Sequence, residues 1–178
     1  MEIEQKLPQR KTPRAKWIEY NYGLYFITVC TQNFVHYFGE IINDEIVLTD
    51  LGNYLIKQIE VSTHHHPYID ILQYVVMPNH FHARVEVKEC NSKADATGCV
   101  PTSEERIDKG IRSNRPLLSI FVGGLKSSVT RYAHKKNITF KWQGRYHDHL
   151  IRGVEDCNNI SQYIENNILN WNKDCFYE

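Results

Sequence analysis

The sequence predicts an α+β fold, in which an antiparallel β-sheet carries helices mainly on one face. Two observations predict this class. Short stretches rich in β-branched and aromatic residues alternate with longer stretches in which apolar residues recur every three to four positions. Two pairs of strand-like stretches are separated only by short turns, at Asn43-Asp44 and Pro78-Asn79, and so short a connection joins antiparallel strands.

Each element follows from its local pattern. Thr49 or Asp50 offers the side-chain oxygen that caps a first helix, and Asp156 is expected to cap a third. In the second helix, Gly123-Gly124 is expected to mark a bend or a close approach. The predicted order is a strand at 25–31, two short strands within 38–48, a helix from 49 or 50 that ends at 64–67, strands at 69–77 and 81–87, a helix at 116–135, a short strand at 146–152 and a helix from 156.

The chain is predicted to form a single domain at 17–178, preceded by a flexible basic arm at 1–16. Residues 88–115 are polar and lack periodicity, which predicts a mobile loop. No stretch reaches the apolar length of a membrane span, and the N-terminus carries charges where a signal peptide is apolar. The five cysteines are scattered without a CxxC pair, which favours reduced thiols. We therefore expect a cytoplasmic protein with no membrane partner.

A net charge of zero conceals one strongly basic segment. Between Lys109 and His147 the chain has nine Lys or Arg residues and no Asp or Glu. Positive charge interleaved with aromatic rings is typical of surfaces that bind a nucleic-acid backbone and unstacked bases, although a solvated helix face followed by a basic loop gives the same pattern. The candidate DNA-binding residues are Arg112, Arg115, Lys126, Arg131, Lys135, Lys136, Lys141, Trp142, Arg145, Tyr146 and Arg152.

The stretch MPNHFHARVEV contains the pair His80 and His82. Because successive strand residues point to opposite faces, both imidazoles project to the same side, whereas Phe81 and the apolar residues that follow it share the other. Two imidazoles fixed on a rigid strand are well placed to bind a metal ion. Two surface histidines on a half-buried strand would give the same spacing.

The third helix carries Tyr163 and Asn167 four residues apart, so their side chains lie one above the other. Both fall on a stripe that is otherwise apolar, where a hydroxyl and an amide need partners. A core tyrosine bonded to a backbone carbonyl would satisfy this pattern. Combined with the histidine pair, however, Asn167 offers an oxygen as a third metal ligand and Tyr163 offers a nucleophile beside the metal.

These residues together resemble the HUH-type single-tyrosine transposases, in particular the REP-associated tyrosine transposases of bacteria. The matching stretches are YFITVCTQN (25–33), YVVMPNHFHARVEV (74–87), WQGRYHDHLIR (142–152) and QYIENNILNW (162–171). They extend from the first strand to near the end of the chain, apart from the loop at 88–115. The family usually reads YIxxNP, whereas here Ile168 follows Asn167.

The resemblance implies a ferredoxin-like HUH endonuclease fold and a metal-dependent endonuclease and strand transferase, a transposase that nicks single-stranded DNA. It implies that His80, His82 and Asn167 hold Mg²⁺ or Mn²⁺. Tyr163 would attack a phosphodiester to give a 5′-phosphotyrosine intermediate and a free 3′-OH. The implied partner is single-stranded DNA with a hairpin or palindromic repeat. Since relatives include both dimers and monomers, a homodimer stays open.

Several residues compete with these assignments. His147-Asp148-His149 is a second HxH whose central residue is polar, so a supporting or DNA-contacting role is favoured over metal binding. His64-His65-His66 is expected at a helix end, and Tyr132 is expected to pack in the core. Trp142 and Tyr146 could equally stack on bases or anchor the last strand.

Two other function classes remain as alternatives. One is a DNA- or RNA-binding module on the same fold that does not cut. The other is a hydrolytic metalloenzyme acting on a small substrate, which the acid-free basic segment disfavours.

Overall fold

The computed structural model describes residues 22–88 and 116–177, so the arm at 1–16, most of the loop at 88–115 and the candidates Arg112 and Arg115 lie outside the described residues. The elements in the described ranges are β1 (Gly23–Cys30), a 3₁₀ turn (Gln32–Phe34), β2 (Gly39–Ile42), β3 (Glu45–Leu48), α1 (Asp50–His65), β4 (Ile69–Val76), β5 (His80–Val87), α2 (Leu117–Lys135), β6 (His147–Leu150), α3 (Gly153–Asn166) and a final 3₁₀ turn (Trp171–Lys173). None of the helices in these ranges is both long and apolar enough to cross a membrane.

Four strands form one antiparallel sheet in the order β4-β5-β1-β6. The hairpin β2-β3 stands apart, and its turn residues Asn43 and Asp44 have positive φ angles of 51° and 62°, as a two-residue hairpin turn requires. In the main sheet, Thr28 of β1 lies opposite both His82 of β5 and His147 of β6. These three side chains therefore share one face of the sheet.

The two faces of the sheet carry different helices. Helices α1 and α2 pack on the face that includes Phe81, Ala83 and Val85, and together they form the larger core. Helix α3 packs on the opposite face, where Ile160 and Ile164 join a smaller apolar cluster. The predicted class, an antiparallel sheet with helices mainly on one face, is confirmed.

Thr49 caps α1 as predicted, because its Oγ1 accepts a hydrogen bond from the backbone N–H of Gly52 at 3.1 Å. The cap expected at Asp156 is wrong: α3 begins earlier, after Arg152. Asp156 lies in the first turn instead, and its Oδ2 accepts hydrogen bonds from the Arg152 backbone N–H and from His149 Nε2, both at 2.9 Å. This carboxylate ties the start of α3 to the edge strand β6.

The expectation for Gly123-Gly124 is also wrong. Helix α2 runs without interruption from Leu117 to Lys135. A Cβ built at Gly123 meets nothing within 4 Å, and one at Gly124 makes only an ordinary contact at 3.5 Å with His66 Nε2. The close approach lies instead at Gly52, where an added Cβ would be 2.0 Å from the carbonyl oxygen of Phe38. The glycine in α1, not the pair in α2, therefore permits close packing.

Candidate metal and nucleophile site

Strand β5 holds both imidazoles of the histidine pair inside the protein. His80 is 0% exposed and His82 is 1% exposed. Their rings lie on the face covered by α3, and the two Nε2 atoms are 3.0 Å apart. The predicted alternation of the strand therefore brings the pair to one point, which is buried rather than on the surface.

The Nδ1 atom of each imidazole makes a hydrogen bond with a neighbouring side chain. Asn79 donates its amide N–H to the carbonyl of Phe176 at 2.8 Å, which leaves its Oδ1 to accept from His80 Nδ1 at 2.7 Å. His80 must therefore carry its proton on Nδ1 and present a bare lone pair at Nε2. His82 Nδ1 lies 2.8 Å from Thr28 Oγ1, a hydroxyl that can either donate or accept. The His82 ring can thus adopt either tautomer without losing this contact.

Burial keeps both imidazoles uncharged at neutral pH. Loss of hydration lowers the pKa of His80 to about 3. The pKa of His82 is also lowered to about 3, by burial first and by the neighbouring His80 second, against a smaller opposing effect of Asp174. Neutral imidazoles are the form that binds metal ions.

The last turns of α3 bring Tyr163 to the same point. Its hydroxyl lies 3.2 Å from His82 Nε2 and 3.4 Å from Asp174 Oδ2. The side chain is 42% exposed, so one side of the phenol is open to solvent. Burial of the remainder, together with the charge of Asp174, raises the pKa of Tyr163 to about 12, whereas a hydrogen bond from Asn167 acts in the opposite direction.

Asn167 directly follows α3 as its C-terminal cap residue and is only 3% exposed. Its Nδ2 donates to Asp174 Oδ2 at 3.3 Å, while its Oδ1 is buried without a hydrogen-bond partner among the described residues. The residue has helical angles, φ −62° and ψ −42°. A following proline disfavours that conformation, so Ile168 is compatible with a helical Asn167.

Asp174 is the residue that sequence reasoning missed. It follows the final 3₁₀ turn, outside any periodic pattern, and it carries the only signal available there, an acidic residue in the stretch WNKDCFYE. His80, His82 and Asp174 are the group of metal-competent residues that the described chain brings together, with ligand atoms within 4.8 Å of one another. This cluster could hold a metal ion.

The donor set fits a divalent ion. The two Nε2 atoms lie 3.0 Å apart, and the ligand atoms of His80, His82 and Asp174 all lie within 4.8 Å of one another, so one ion could contact all three. Two imidazoles with a carboxylate are typical of sites for Mn²⁺-like and Fe²⁺-like ions, and the unsatisfied Oδ1 of Asn167 offers a further oxygen. An unpaired buried acceptor is costly, and a bound cation would remove that cost.

The candidate DNA-binding residues are more scattered. Arg131 and Lys135 are exposed on α2, and Lys136 is exposed directly after it, on the sheet face opposite the histidines. Lys141 and Arg145 are exposed between α2 and β6, and Arg152 is exposed just before α3.

Three of these candidates have partners inside the protein. Lys126 Nζ donates to the carbonyls of Gln143 and Arg145, and burial lowers its pKa to about 8. Trp142 donates to the Lys126 carbonyl at 3.1 Å and packs on the core, while Tyr146 OH is 2.9 Å from Ser119 Oγ. The geometry of Trp142 and Tyr146 is that of anchors for the last strand.

The competing residues lie elsewhere. Tyr132 stacks on Tyr54 with ring centroids 3.9 Å apart, on the far side of the sheet from His82. His149 pairs with Asp156, and His66 Nδ1 lies 3.0 Å from Tyr68 OH at the end of α1. Neither His149 nor His66 belongs to the metal-competent group found in the described ranges, and Tyr132 packs against the core on the other face of the sheet.

Comparisons with known proteins identify a relative of this chain and a solved structure with a similar fold. No family model matches the sequence. An uncharacterized protein of Haemophilus influenzae (strain KW20 / Rd) is 33% identical over 177 residues, which cover 94% of this chain and 93% of that protein. A solved structure of a REP-associated tyrosine transposase bound to a REP hairpin matches with a TM-score of 0.54 and 20% identity, over 90% of this chain and 73% of that one. The chain therefore belongs to the same family as the Haemophilus influenzae protein, and its fold is that of a REP-associated tyrosine transposase.

Proposed function

We propose that this protein is a metal-dependent endonuclease and strand transferase of single-stranded DNA, with Tyr163 as its nucleophile. The observation that carries the proposal is the convergence of the Tyr163 hydroxyl with the His80–His82 pair, at 3.2 Å from His82 Nε2. The similar transposase structure contains a REP hairpin, which supports hairpin DNA as the substrate class.

The chain supplies the groups that this reaction needs. The Tyr163 oxygen forms a bond to phosphorus, and the bond from phosphorus to the 3′ oxygen of the preceding nucleotide breaks. The products are a 5′-phosphotyrosine and a free 3′-OH, which keep the energy of the ester for rejoining. The half-exposed phenol leaves room for a strand to approach, and Asp174 Oδ2 lies at 3.4 Å to accept the phenol proton. The departing 3′ oxygen takes up a proton from solvent.

His80, His82 and Asp174 would hold the ion, with Asn167 Oδ1 as a fourth donor. When bound, Mg²⁺ or Mn²⁺ supplies positive charge next to a phosphodiester and a phenol. Asn79 and Thr28 keep the two imidazoles in position from behind. The exposed residues Lys141, Arg145 and Arg152 are offered to the DNA backbone, as are the basic residues on α2.

The test is covalent capture. We expect the wild-type protein, Mn²⁺ and a labelled single-stranded hairpin to give an adduct that survives denaturing electrophoresis. Tyr163→Phe removes only the nucleophilic oxygen and should abolish the adduct, as should EDTA. Tyr132→Phe is the matched control, because that phenol lies on the other face of the sheet, and it should leave the adduct unchanged.

Two outcomes contradict the proposal. An adduct that persists in Tyr163→Phe rejects the nucleophile. Tight hairpin binding without an adduct, under Mg²⁺ or Mn²⁺, would favour the non-cutting binding module instead.

A further inference from the structure

A cavity lies beside the metal and nucleophile site, between the β2-β3 hairpin and the segment that follows α3. Its volume is about 330 Å³. This volume is at the small end of ligand pockets, so it suits one flat ring system rather than a duplex. Trp171 is common to both sites: it lines the cavity, and its ring lies 6.0 Å from the His80 ring.

The lining combines acceptors, a donor and aromatic surface. Glu40 and Asp44, both exposed, contribute carboxylates from the hairpin. Asn172, which is exposed, contributes an amide that can donate, whereas Trp171 is only 8% exposed and forms part of the cavity wall. The rings of Tyr177 and His36 lie 5.4 Å and 5.7 Å from that of Trp171. A flat ligand that both donates and accepts hydrogen bonds would use these polar groups, and its faces would contact the aromatic and aliphatic part of the lining.

Charge and geometry further limit the class of ligand that the cavity can bind. Two carboxylates disfavour a phosphate inside the cavity, so a nucleic-acid backbone has to stay outside it. A metal ion is disfavoured as well, because the convergent metal-competent group found in the described residues is His80, His82 and Asp174, not the acids of this cavity. Nucleobases with an exocyclic amino group are flat, and they both donate and accept hydrogen bonds. A carboxylate accepts from the amino group, the Asn172 amide donates to a ring nitrogen or carbonyl, and the exposed ring of Tyr177 stacks on the base.

We propose that this cavity receives one unpaired, amino-bearing nucleobase of a DNA strand that passes the neighbouring site. The proposal rests on the DNA-processing function proposed above and adds a determinant of sequence preference to it. Because Trp171 lies between the cavity and His80, the bound base belongs to a nucleotide close to the cleaved phosphate.

The experiment measures binding without chemistry. Fluorescence polarisation in EDTA compares labelled oligothymidylate with oligomers of the same length in which one central thymine is replaced by adenine, cytosine or guanine. We expect at least one replacement to bind roughly tenfold more tightly to the wild-type protein. Glu40→Gln and Asp44→Asn should each reduce that preference, whereas Glu45→Gln, an exposed acid of the same hairpin that does not line the cavity, should retain it.

Both cavity variants, Glu40→Gln and Asp44→Asn, are expected to fold. Glu40 is an exposed strand residue, and Asn tolerates the positive φ of 62° at position 44 at least as well as Asp. Equal affinity for all oligomers, no binding of any oligomer, or a preference unchanged in both variants would overturn the proposal. A covalent adduct without a base preference would overturn base binding in the cavity and leave the proposed cleavage activity intact. A base preference without an adduct overturns the cleavage activity and leaves the pocket intact.

Discussion

At the scale of single residues, the site depends on side chains that do not themselves face the reacting groups. Asn79 is fully buried, and its amide has both ends engaged, one with the Phe176 carbonyl and one with His80 Nδ1. This arrangement fixes the protonated nitrogen of His80 and turns its free lone pair toward His82. Outer partners of this kind orient metal-binding imidazoles and raise their basicity.

We therefore expect Asn79→Ala to weaken Mn²⁺ binding by about 10- to 100-fold, because the His80 ring loses its fixed tautomer. Isothermal titration calorimetry of the variant against wild type measures this change. Asn53→Ala is the control, since Asn53 is exposed on α1 and, among residues 22–88 and 116–177, its side chain donates to the Thr49 carbonyl and to no group of the site. Unchanged affinity in Asn79→Ala would show that the hydrogen bond does not orient the ring.

Asp174 should contribute more to ion binding than Asn167, because it is the one negatively charged donor of the convergent group. We expect Asp174→Asn, which keeps the shape of the side chain, to weaken Mn²⁺ binding by about tenfold or more. Asn167→Ala should have a smaller effect on affinity. Electron paramagnetic resonance of free Mn²⁺ quantifies both variants, and the reverse order of effects would make Asn167 the principal oxygen ligand.

The residues of the site were predictable to different degrees. Strand alternation places His80 and His82 on one side of β5, and helical spacing places Tyr163 and Asn167 on one side of α3, because both are local regularities that the sequence displays. That the two pairs meet, with the Tyr163 hydroxyl 3.2 Å from His82 Nε2, is a tertiary contact that only the resemblance to the transposases implied. Asp174 could not be found in this way, because it lies in a non-periodic segment whose position depends on tertiary packing, including the contact of Phe176 with the His80 ring at 4.6 Å. Whether these residues perform the proposed roles stays a prediction.

At the scale of elements, the order of strands and helices was predictable, and helix packing was less so. The strands around Asn43-Asp44 and Pro78-Asn79 form as expected, since turn residues act locally. The placement of α3 on the opposite sheet face from α1 and α2 involves contacts far apart in sequence, such as Gln73 Nε2 with the Ser161 carbonyl at 3.2 Å. For the same reason, no local pattern indicated that, of the glycines in α1 and α2, Gly52 is the one at a close approach.

Two alanine substitutions of helical glycines should therefore have opposite effects. Gly123→Ala is expected to stabilise the protein by about 0.5–1 kcal/mol, because an exposed helix interior gains propensity and its Cβ meets nothing within 4 Å. Gly52→Ala is expected to destabilise it by about 1–3 kcal/mol or more, since the new Cβ lies 2.0 Å from the Phe38 carbonyl oxygen. Urea denaturation measures both. A stabilising Gly52→Ala would mean that the β2-β3 hairpin moves away from α1 at little cost.

At the scale of the whole molecule, the sheet separates two tasks. One face, under α1 and α2, carries the larger apolar core. The other face carries a smaller cluster beside which the histidines, Tyr163 and Asp174 gather. Burying two imidazoles on that face has a consequence for the stability of the entire chain, because folding and protonation are linked.

The metal-free protein should lose stability as the pH falls from about 7 toward 5. In the folded state, burial lowers the pKa values of both His80 and His82 from 6.5 to about 3, so the unfolded chain binds more protons throughout this window. Each of the two histidines therefore lowers the free energy of unfolding by up to about 1.4 kcal/mol for every pH unit below its pKa in the unfolded chain. The contribution is therefore fully present above pH 6.5 and is lost progressively toward pH 3.

Urea unfolding in EDTA at pH 7, 6 and 5 measures how steeply the free energy of unfolding changes with pH. The double variant His80→Gln/His82→Gln is the matched comparison, because His66, whose pKa is lowered by burial as well, is common to both proteins. Equal slopes for the two proteins would mean that the pair is solvated or already protonated in the folded state.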